Sequence, residues 1–117
     1  MLRFFVTLLT IFILPNVSKA AEGKGIRFWN LTAATITSLR LSPAGKNEWG
    51  QNQTENDKDH GVDHDERLKI MGIEPGVYDV TFRDTLHREC VIKNIDIKAG
   101  GIFSIEEKKL GGFCHEF

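Results

Sequence analysis

Alternating apolar and polar side chains, separated by turn residues, most limit what this chain can fold into. In residues 78–83 every second side chain is apolar, which is typical of a strand with one buried and one solvated face. Residues 84–87 interrupt the pattern with side chains that turns tolerate, and residues 89–97 resume it. We therefore predict an antiparallel hairpin in this part of the chain.

Other segments extend the same pattern. Residues 25–31 and 35–41 are rich in β-branched and aromatic side chains, and the short stretch between them predicts a second hairpin. Shorter strand patterns follow at residues 65–71 and 102–105. No segment keeps apolar residues at helical spacing over three turns. We therefore predict an all-β fold, a small antiparallel β-sandwich of about six strands.

The chain has two cysteines, Cys90 and Cys114. An even number of cysteines pairs by default in an oxidising compartment, so we predict one disulfide between them. Such a link matters because a domain of about 97 residues buries a limited core and is only moderately stable by itself. The pairing also argues against a catalytic thiol at Cys114, although His115 follows it directly.

The first residues have the three parts of a secretory signal peptide. A basic residue precedes an apolar run at residues 4–14, and a polar stretch then ends in the small residues Ser18 and Ala20. We expect residues 1–20 to be removed and residues 21–117 to form a single domain. The apolar run is too short to cross a bilayer as a helix, so we expect no membrane span in the mature chain and a periplasmic or secreted location.

The charge of the chain argues against nucleic acid as a partner. The sequence has 15 Lys and Arg against 16 Asp and Glu, and removing Arg3 and Lys19 with the signal peptide leaves a net charge of about −3. Binding a phosphate backbone requires a concentrated basic stripe. Here the basic residues alternate with acidic ones along the sequence, so we predict no nucleic-acid binding.

Residues 46–66 are almost devoid of apolar side chains, and we predict a polar acidic loop that cannot contribute to a core. A loop of this length in a compact domain is usually functional or disordered. The spacing fits neither an EF-hand, because Val62 stands where glycine is required, nor a zinc-protease helix. A solvated loop and a metal site both stay open. The candidate ligands for a divalent cation are Asp57, Asp59, His60, Asp63, His64 and Asp65.

No set of residues predicts catalysis. We interpret Asp79 as the polar face of a strand and Asp84 as the first residue of a turn, and the sequence has no glycine-rich phosphate loop or nucleophile triad. We assign Trp29 to the core. Trp49 follows the turn at Pro43–Gly45, so it is the candidate for a partly exposed ring that stacks on a sugar.

Several short motifs are spread over most of the mature chain. Together they resemble small exported bacterial proteins of unassigned function. The resemblance implies a short β domain in the periplasm or outside the cell, and it carries no catalytic residue across. The motifs are Asn30-x-Thr32, Ile36-x-x-Leu39, Ser42-Pro43-Ala44-Gly45, Trp49-Gly50, Gly76-x-Tyr78-Asp79-Val80 and a late cysteine.

Three functions follow as hypotheses. The first is an exported, non-enzymatic binding or accessory module of the cell envelope, which presents the loop at residues 46–66 to a protein or a glycan. The second is a periplasmic divalent-metal-binding protein that uses the acidic, histidine-containing residues 57–65. A small hydrolase ranks below both, so we predict that the protein is not an enzyme and needs no cofactor.

Overall fold

The computed structural model describes residues 25–117, which form seven strands and two short 3-10 helices. The signal peptide predicted at residues 1–20 lies outside the described residues. Within residues 25–117, no helix is long and apolar enough to cross a membrane. The strands are β1 (Arg27–Leu31), β2 (Ile36–Pro43), β3 (Arg67–Lys69), β4 (Gly76–Asp84), β5 (Arg88–Ile97), β6 (Ile102–Glu106) and β7 (Cys114–Glu116); the 3-10 helices are Gln53–Asn56 and Glu107–Lys109.

The strands form two sheets, one with the order β3-β1-β6 and one with the order β2-β4-β5-β7. This confirms the predicted all-β sandwich and the disulfide between Cys90 and Cys114. Strands β1 and β6 pair in parallel, whereas the other strand pairs of residues 25–117 are antiparallel. The seventh strand, β7, has only three residues, too few to show an alternating pattern in the sequence.

One predicted hairpin is confirmed and the other is wrong. Strands β4 and β5 form the hairpin expected from residues 78–97. Strands β1 and β2 belong to different sheets, because the chain crosses the sandwich at residues 32–34. The fully buried Asn30 holds this crossing. Its Nδ2 donates to the carbonyls of Ala34 at 2.9 Å and Val62 at 2.8 Å, and its Oδ1 accepts from the backbone and hydroxyl of Thr32.

The core fills the space between the sheets. Phe28 of β1 packs against Phe103 of β6, with ring centroids 5.3 Å apart, and Phe82 of the other sheet is 1 % exposed. The assignment of Trp29 to the core is wrong, because Phe28 and Asn30 point inward. Since side chains alternate along a strand, Trp29 lies between them on the outer face and is only partly buried.

The polar segment at residues 46–66 does contribute to the interior, contrary to the prediction. Gln53, Thr54 and Val62 are each 2 % exposed or less. Gln53 exchanges two hydrogen bonds with the backbone of Met71, at 2.9 and 3.0 Å. Val62 and Ile36 exchange two backbone hydrogen bonds of 2.9 Å. Polar side chains are buried here because the backbone of neighbouring segments supplies their hydrogen-bond partners.

Candidate functional site

A depression of about 440 Å³ opens on the outer face of the four-stranded sheet. The strand register brings its lining together, since Arg40 lies opposite Thr81 and Arg83 lies opposite both Ser38 and Glu89. Neighbouring residues on the same strands point into the core, so these side chains face outward. The lining residues are Ser38, Arg40, Trp49, Thr81, Phe82, Arg83 and Glu89.

Trp49 is fixed at one side of the depression by its neighbours in the sequence. The backbone N–H of Gly50 donates to the Leu41 carbonyl at 2.9 Å, and Arg40 Nη1 donates to the Gly50 carbonyl at 2.8 Å. The backbone N–H of Glu48 donates to Ser42 Oγ at 2.8 Å. These bonds fix the backbone on both sides of the partly buried Trp49. A ligand would therefore meet an ordered surface and lose little free energy in ordering it.

The two arginines of the depression differ in how far the fold already uses them. Arg83 Nε donates to Glu89 Oε2 at 2.7 Å, and its guanidinium carbon lies 4.5 Å from the centre of the Phe117 ring. Arg40 makes its one bond to the Gly50 carbonyl, and a guanidinium carries five N–H donors. Arg40 is thus the cation of this site that retains donors for a ligand.

Asp79 is a structural carboxylate beneath the loop that carries Trp49. It is 2 % exposed, so its interpretation as the solvated face of a strand is wrong. Its carboxylate accepts from the backbone N–H of Gly45 and of Asn94, each at 3.0 Å. These two bonds hold the pKa of Asp79 below its ordinary value. The register of β4 against β5 shifts between Tyr78 and Val80, and the sequence gives no sign of this irregularity.

Asp84 begins a turn, as predicted, and also anchors a partly buried ion-pair network. Its Oδ1 accepts from the backbone N–H of Leu86 and Arg88, and its Oδ2 accepts from Arg88 Nε at 2.9 Å. Arg88 makes two further bonds to Glu107, at 2.7 and 3.0 Å. Together with the Ala33 backbone N–H, this pair lowers the pKa of Glu107 to about 2. These carboxylates therefore stabilise the sandwich.

The structure does not gather the predicted metal ligands into one cluster. Asp57 accepts from the backbone of Asp59, and His60 lies 3.6 Å from Glu55. Within residues 25–117, no group of three or more His, Cys, Asp or Glu side chains is placed to hold a metal ion. The remaining three ligands bond elsewhere: Asp63 to Thr35 at 2.7 Å, His64 to the Thr32 carbonyl at 2.8 Å and Asp65 to Trp29 at 2.9 Å.

A bound ion would have to rearrange these contacts. Asp65 fastens the segment to β1, and Asp63 and His64 fasten it to the link between β1 and β2, so an ion that used all three would change three hydrogen bonds. Metal binding by Asp57, Asp59, His60, Asp63, His64 and Asp65 stays a prediction.

No family model, curated protein or solved structure matches this chain. The residues and their geometry alone therefore point to a function. Of the depression, the sequence singles out only Trp49. Arg40, Ser38 and Thr81 stand at ordinary polar positions of two strands, and only the register of β2 against β4 brings them together.

Proposed function

We propose that this protein is an exported, non-enzymatic binding module of the cell envelope, and that it holds a glycan in the depression beside Trp49. The observation that carries the proposal is the placement of an indole, the Arg40 guanidinium and two hydroxyls on one concave surface. An indole stacks on the apolar face of a sugar ring, while guanidinium and hydroxyl groups bond to sugar oxygens. A volume of about 440 Å³ suits a small ligand.

The use of the reactive side chains supports a non-enzymatic role. Both cysteines form the disulfide. Asp79 and Asp84, the buried carboxylates, accept hydrogen bonds from the backbone. A general base or nucleophile must instead reach a substrate atom.

Export rests on the signal-peptide pattern and is compatible with the disulfide, because disulfides persist in oxidising compartments. We expect the exported product to begin at Ala21, since Ser18 and Ala20 supply the small side chains that signal peptidase requires. Mass spectrometry of the exported protein measures this directly. Recovery of the intact chain in the membrane fraction would contradict it.

Glycan binding is best tested with a Trp29→Phe variant, in which Trp49 is the remaining tryptophan. Neutral and uronic-acid oligosaccharides are titrated while the fluorescence of Trp49 is recorded. We expect a saturable change with at least one class, and a loss of affinity of about tenfold or more for Arg40→Gln, as for other central contact residues. Isothermal titration calorimetry of Trp49→Ala should show the same loss.

The matched control is Lys58→Gln, which removes an exposed cation in the segment that includes Trp49 without touching the depression. It should bind as the parent does. Unchanged Trp49 fluorescence with every oligosaccharide would sink the glycan proposal. Capture of an envelope protein that depends on Arg40 and Trp49 would keep the binding function and replace the ligand.

A further inference from the structure

The outer face of the three-stranded sheet carries a second group of cations around the other tryptophan. Arg27 of β1 lies directly opposite Lys69 of β3, and Trp29 lies opposite Arg67. The intervening residues, Phe28 and Leu68, are buried, so these four side chains share the outer face. We call Arg27, Trp29, Arg67 and Lys69 the basic face.

The fold leaves the cations of the basic face without anionic partners. Within residues 25–117, Arg27, Arg67 and Lys69 form no ion pair. The guanidinium carbon of Arg67 lies 4.3 Å from the centre of the Trp29 ring, and Asp65 at the margin bonds to the indole N–H. Like charges directly opposite on neighbouring strands destabilise a sheet. An external anion at Arg27 and Lys69 would remove that repulsion.

Arg27 gives an independent sign of a missing acceptor. Its Nε is buried and bonds to no acceptor of the described residues. A buried donor without a partner costs free energy, and such groups are rare in folded proteins. An external oxyanion would meet the other donors of this partly buried guanidinium rather than the buried Nε, and would form charge-assisted hydrogen bonds with them. Together with the unpaired charges of Arg67 and Lys69, these donors favour an oxyanion as the partner of this face.

Apolar neighbours distinguish a membrane from a dissolved polyanion. Ile102 of β6 lies opposite Arg27 on the other side and is 45 % exposed, and the partly exposed Leu31 follows Trp29 on the same face. A dissolved polyanion would use the cations alone. At a bilayer surface the cations meet phosphates, a tryptophan sits at headgroup level and an isoleucine reaches the acyl boundary.

We propose that the basic face docks on the phosphate-bearing headgroups of an anionic lipid membrane. The docking uses none of the residues of the depression beside Trp49, so either proposal can fail without the other. Each cation near an anionic surface contributes about 1 kcal/mol, or about fivefold in partitioning. Three cations together predict roughly a hundredfold preference for anionic over neutral vesicles.

Vesicle co-sedimentation of the exported protein tests the docking. The vesicles contain phosphatidylcholine either alone or mixed with phosphatidylglycerol, and binding is measured at low and high salt. We expect binding to the anionic vesicles that weakens with salt. A variant with Arg27, Arg67 and Lys69 all changed to Gln should lose roughly a hundredfold. Arg67→Gln with Lys69→Gln should lose about 25-fold, and both side chains are exposed, so we expect this variant to keep its fold.

The matched control changes Lys46, Lys58 and Lys109 to Gln, which removes the same charge from exposed positions elsewhere. It should bind anionic vesicles as the parent does. Equal loss in the control, or equal binding to neutral and anionic vesicles, would overturn the proposal, because either result makes the placement of the cations irrelevant.

A Trp49→Phe variant, in which Trp29 is the remaining tryptophan, identifies the source of the anion. Anionic vesicles should shift the Trp29 emission to shorter wavelength, whereas inorganic phosphate alone and poly-glutamate should leave it in place. A full shift with either soluble anion would overturn membrane docking in favour of that anion. In Trp29→Phe, vesicles should leave the emission of Trp49 unchanged.

Discussion

The two outer faces of this sandwich use similar residues in opposite ways. The depression and the basic face each contain arginines and one of the two tryptophans. In the depression, Glu89 neutralises Arg83 and the Gly50 carbonyl holds Arg40. On the basic face, the cations lack carboxylate partners among residues 25–117. Residue type alone therefore does not define a binding surface. What matters is which donors the fold has already satisfied.

The faces also differ in what holds them in place. The four-stranded sheet carries the disulfide beside the depression, because Glu89 of the lining precedes Cys90 directly. The three-stranded sheet depends on packing around Phe28 and on the hydrogen bonds of Asn30. Removing the disulfide and replacing Asn30 should therefore affect binding at the two faces unequally.

The largest expected effect comes from the disulfide and should separate the two faces. Changing Cys90 and Cys114 to Ala should lower the free energy of unfolding by about 3.5 kcal/mol, because the link closes a loop of about 25 residues. Urea denaturation measures the change. At low urea the variant should still bind anionic vesicles but lose affinity at the depression, since β7 pairs beside Glu89.

Reductant provides the control for the disulfide. It should lower the stability of the parent protein by the same amount and leave the Ala variant unaffected. A parent protein whose urea midpoint does not respond to reductant would show that the link is unimportant.

Asn30 gives the next largest effect, on the crossing between the sheets. Asn30→Ala should cost about 3 kcal/mol, because it leaves the buried carbonyls of Ala34 and Val62 and the Thr32 N–H without their partners. Urea denaturation with Gln51→Ala as an exposed control, expected within about 0.5 kcal/mol of the parent, measures it. Equal stability of the two variants would contradict the role of Asn30 in joining the faces.

Asp79 makes the loop beside the depression sensitive to acid. The folded-state pKa of Asp79 lies below the ordinary value of 3.8. The ionised carboxylate therefore adds to the free energy of unfolding above pH 3.8, and this stabilisation is lost as the pH falls through the folded-state pKa. Asp79→Asn should cost about 2 kcal/mol at pH 7 and progressively less below pH 3.8. Glu107 has a pKa of about 2, so its protonation in acid also lowers the stability of the parent protein.

Denaturation at pH 7, 4 and 2.5 measures the Asp79 effect. Asp96→Asn is the control, because the exposed Asp96–Lys98 ion pair should contribute little. A cost for Asp79→Asn that is the same at all three pH values would refute the assignment. The Asp79→Asn substitution should also weaken ligand binding at the depression, whereas it should leave vesicle binding at the basic face unchanged.

The smallest expected effect is that of divalent ions on the segment that lies against β1. If an ion binds, it should require the donors of residues 57–65, and at a concentration equal to its Kd it should stabilise the fold by only about 0.4 kcal/mol. Calcium, zinc, nickel and copper are titrated by calorimetry. Changing Asp59, His60, Asp63 and His64 together to Ala should abolish any binding.

No binding tighter than roughly millimolar would end the metal hypothesis. Binding that survives the quadruple variant would place the ion elsewhere. Binding that couples to vesicle affinity would join the segment to the basic face, because Asp65 bonds to Trp29.

The alternation of apolar and polar residues and the cysteine count were enough to predict the sandwich, the β4–β5 hairpin and the disulfide. The sequence patterns failed where a buried polar residue determines the course of the chain. Asn30 looks like an outward strand residue, but its hydrogen bonds at the crossing turn it inward and place Trp29 outside. The sequence around Gln53 predicts an exposed loop, yet Gln53 is buried because the Met71 backbone forms hydrogen bonds with both polar atoms of its side chain. Such pairings join distant residues, so sequence periodicity does not reveal them.

The candidate sites were harder to predict than the fold, for the same reason. Trp49 could be singled out because it follows a turn, but the sequence does not show that Arg40 lies beside it. The register of β2 against β4 places Arg40 in the depression, and its bond to the Gly50 carbonyl holds it next to Trp49. The cations of the basic face are spread between residues 27 and 69, so in the sequence they appear scattered among acidic residues. The antiparallel register of β1 and β3 collects them on one surface.

The parallel pairing of β1 with β6 limits when the three-stranded sheet can close as the chain emerges during synthesis. Arg27 has no parallel neighbour until Ile102 has appeared, so nearly all of the chain must be delivered before the three-stranded sheet can close. Closing contacts between distant segments is slow. The three-stranded sheet therefore cannot be completed before β6 has emerged, and the four-stranded sheet must wait for β7, the last strand of the chain.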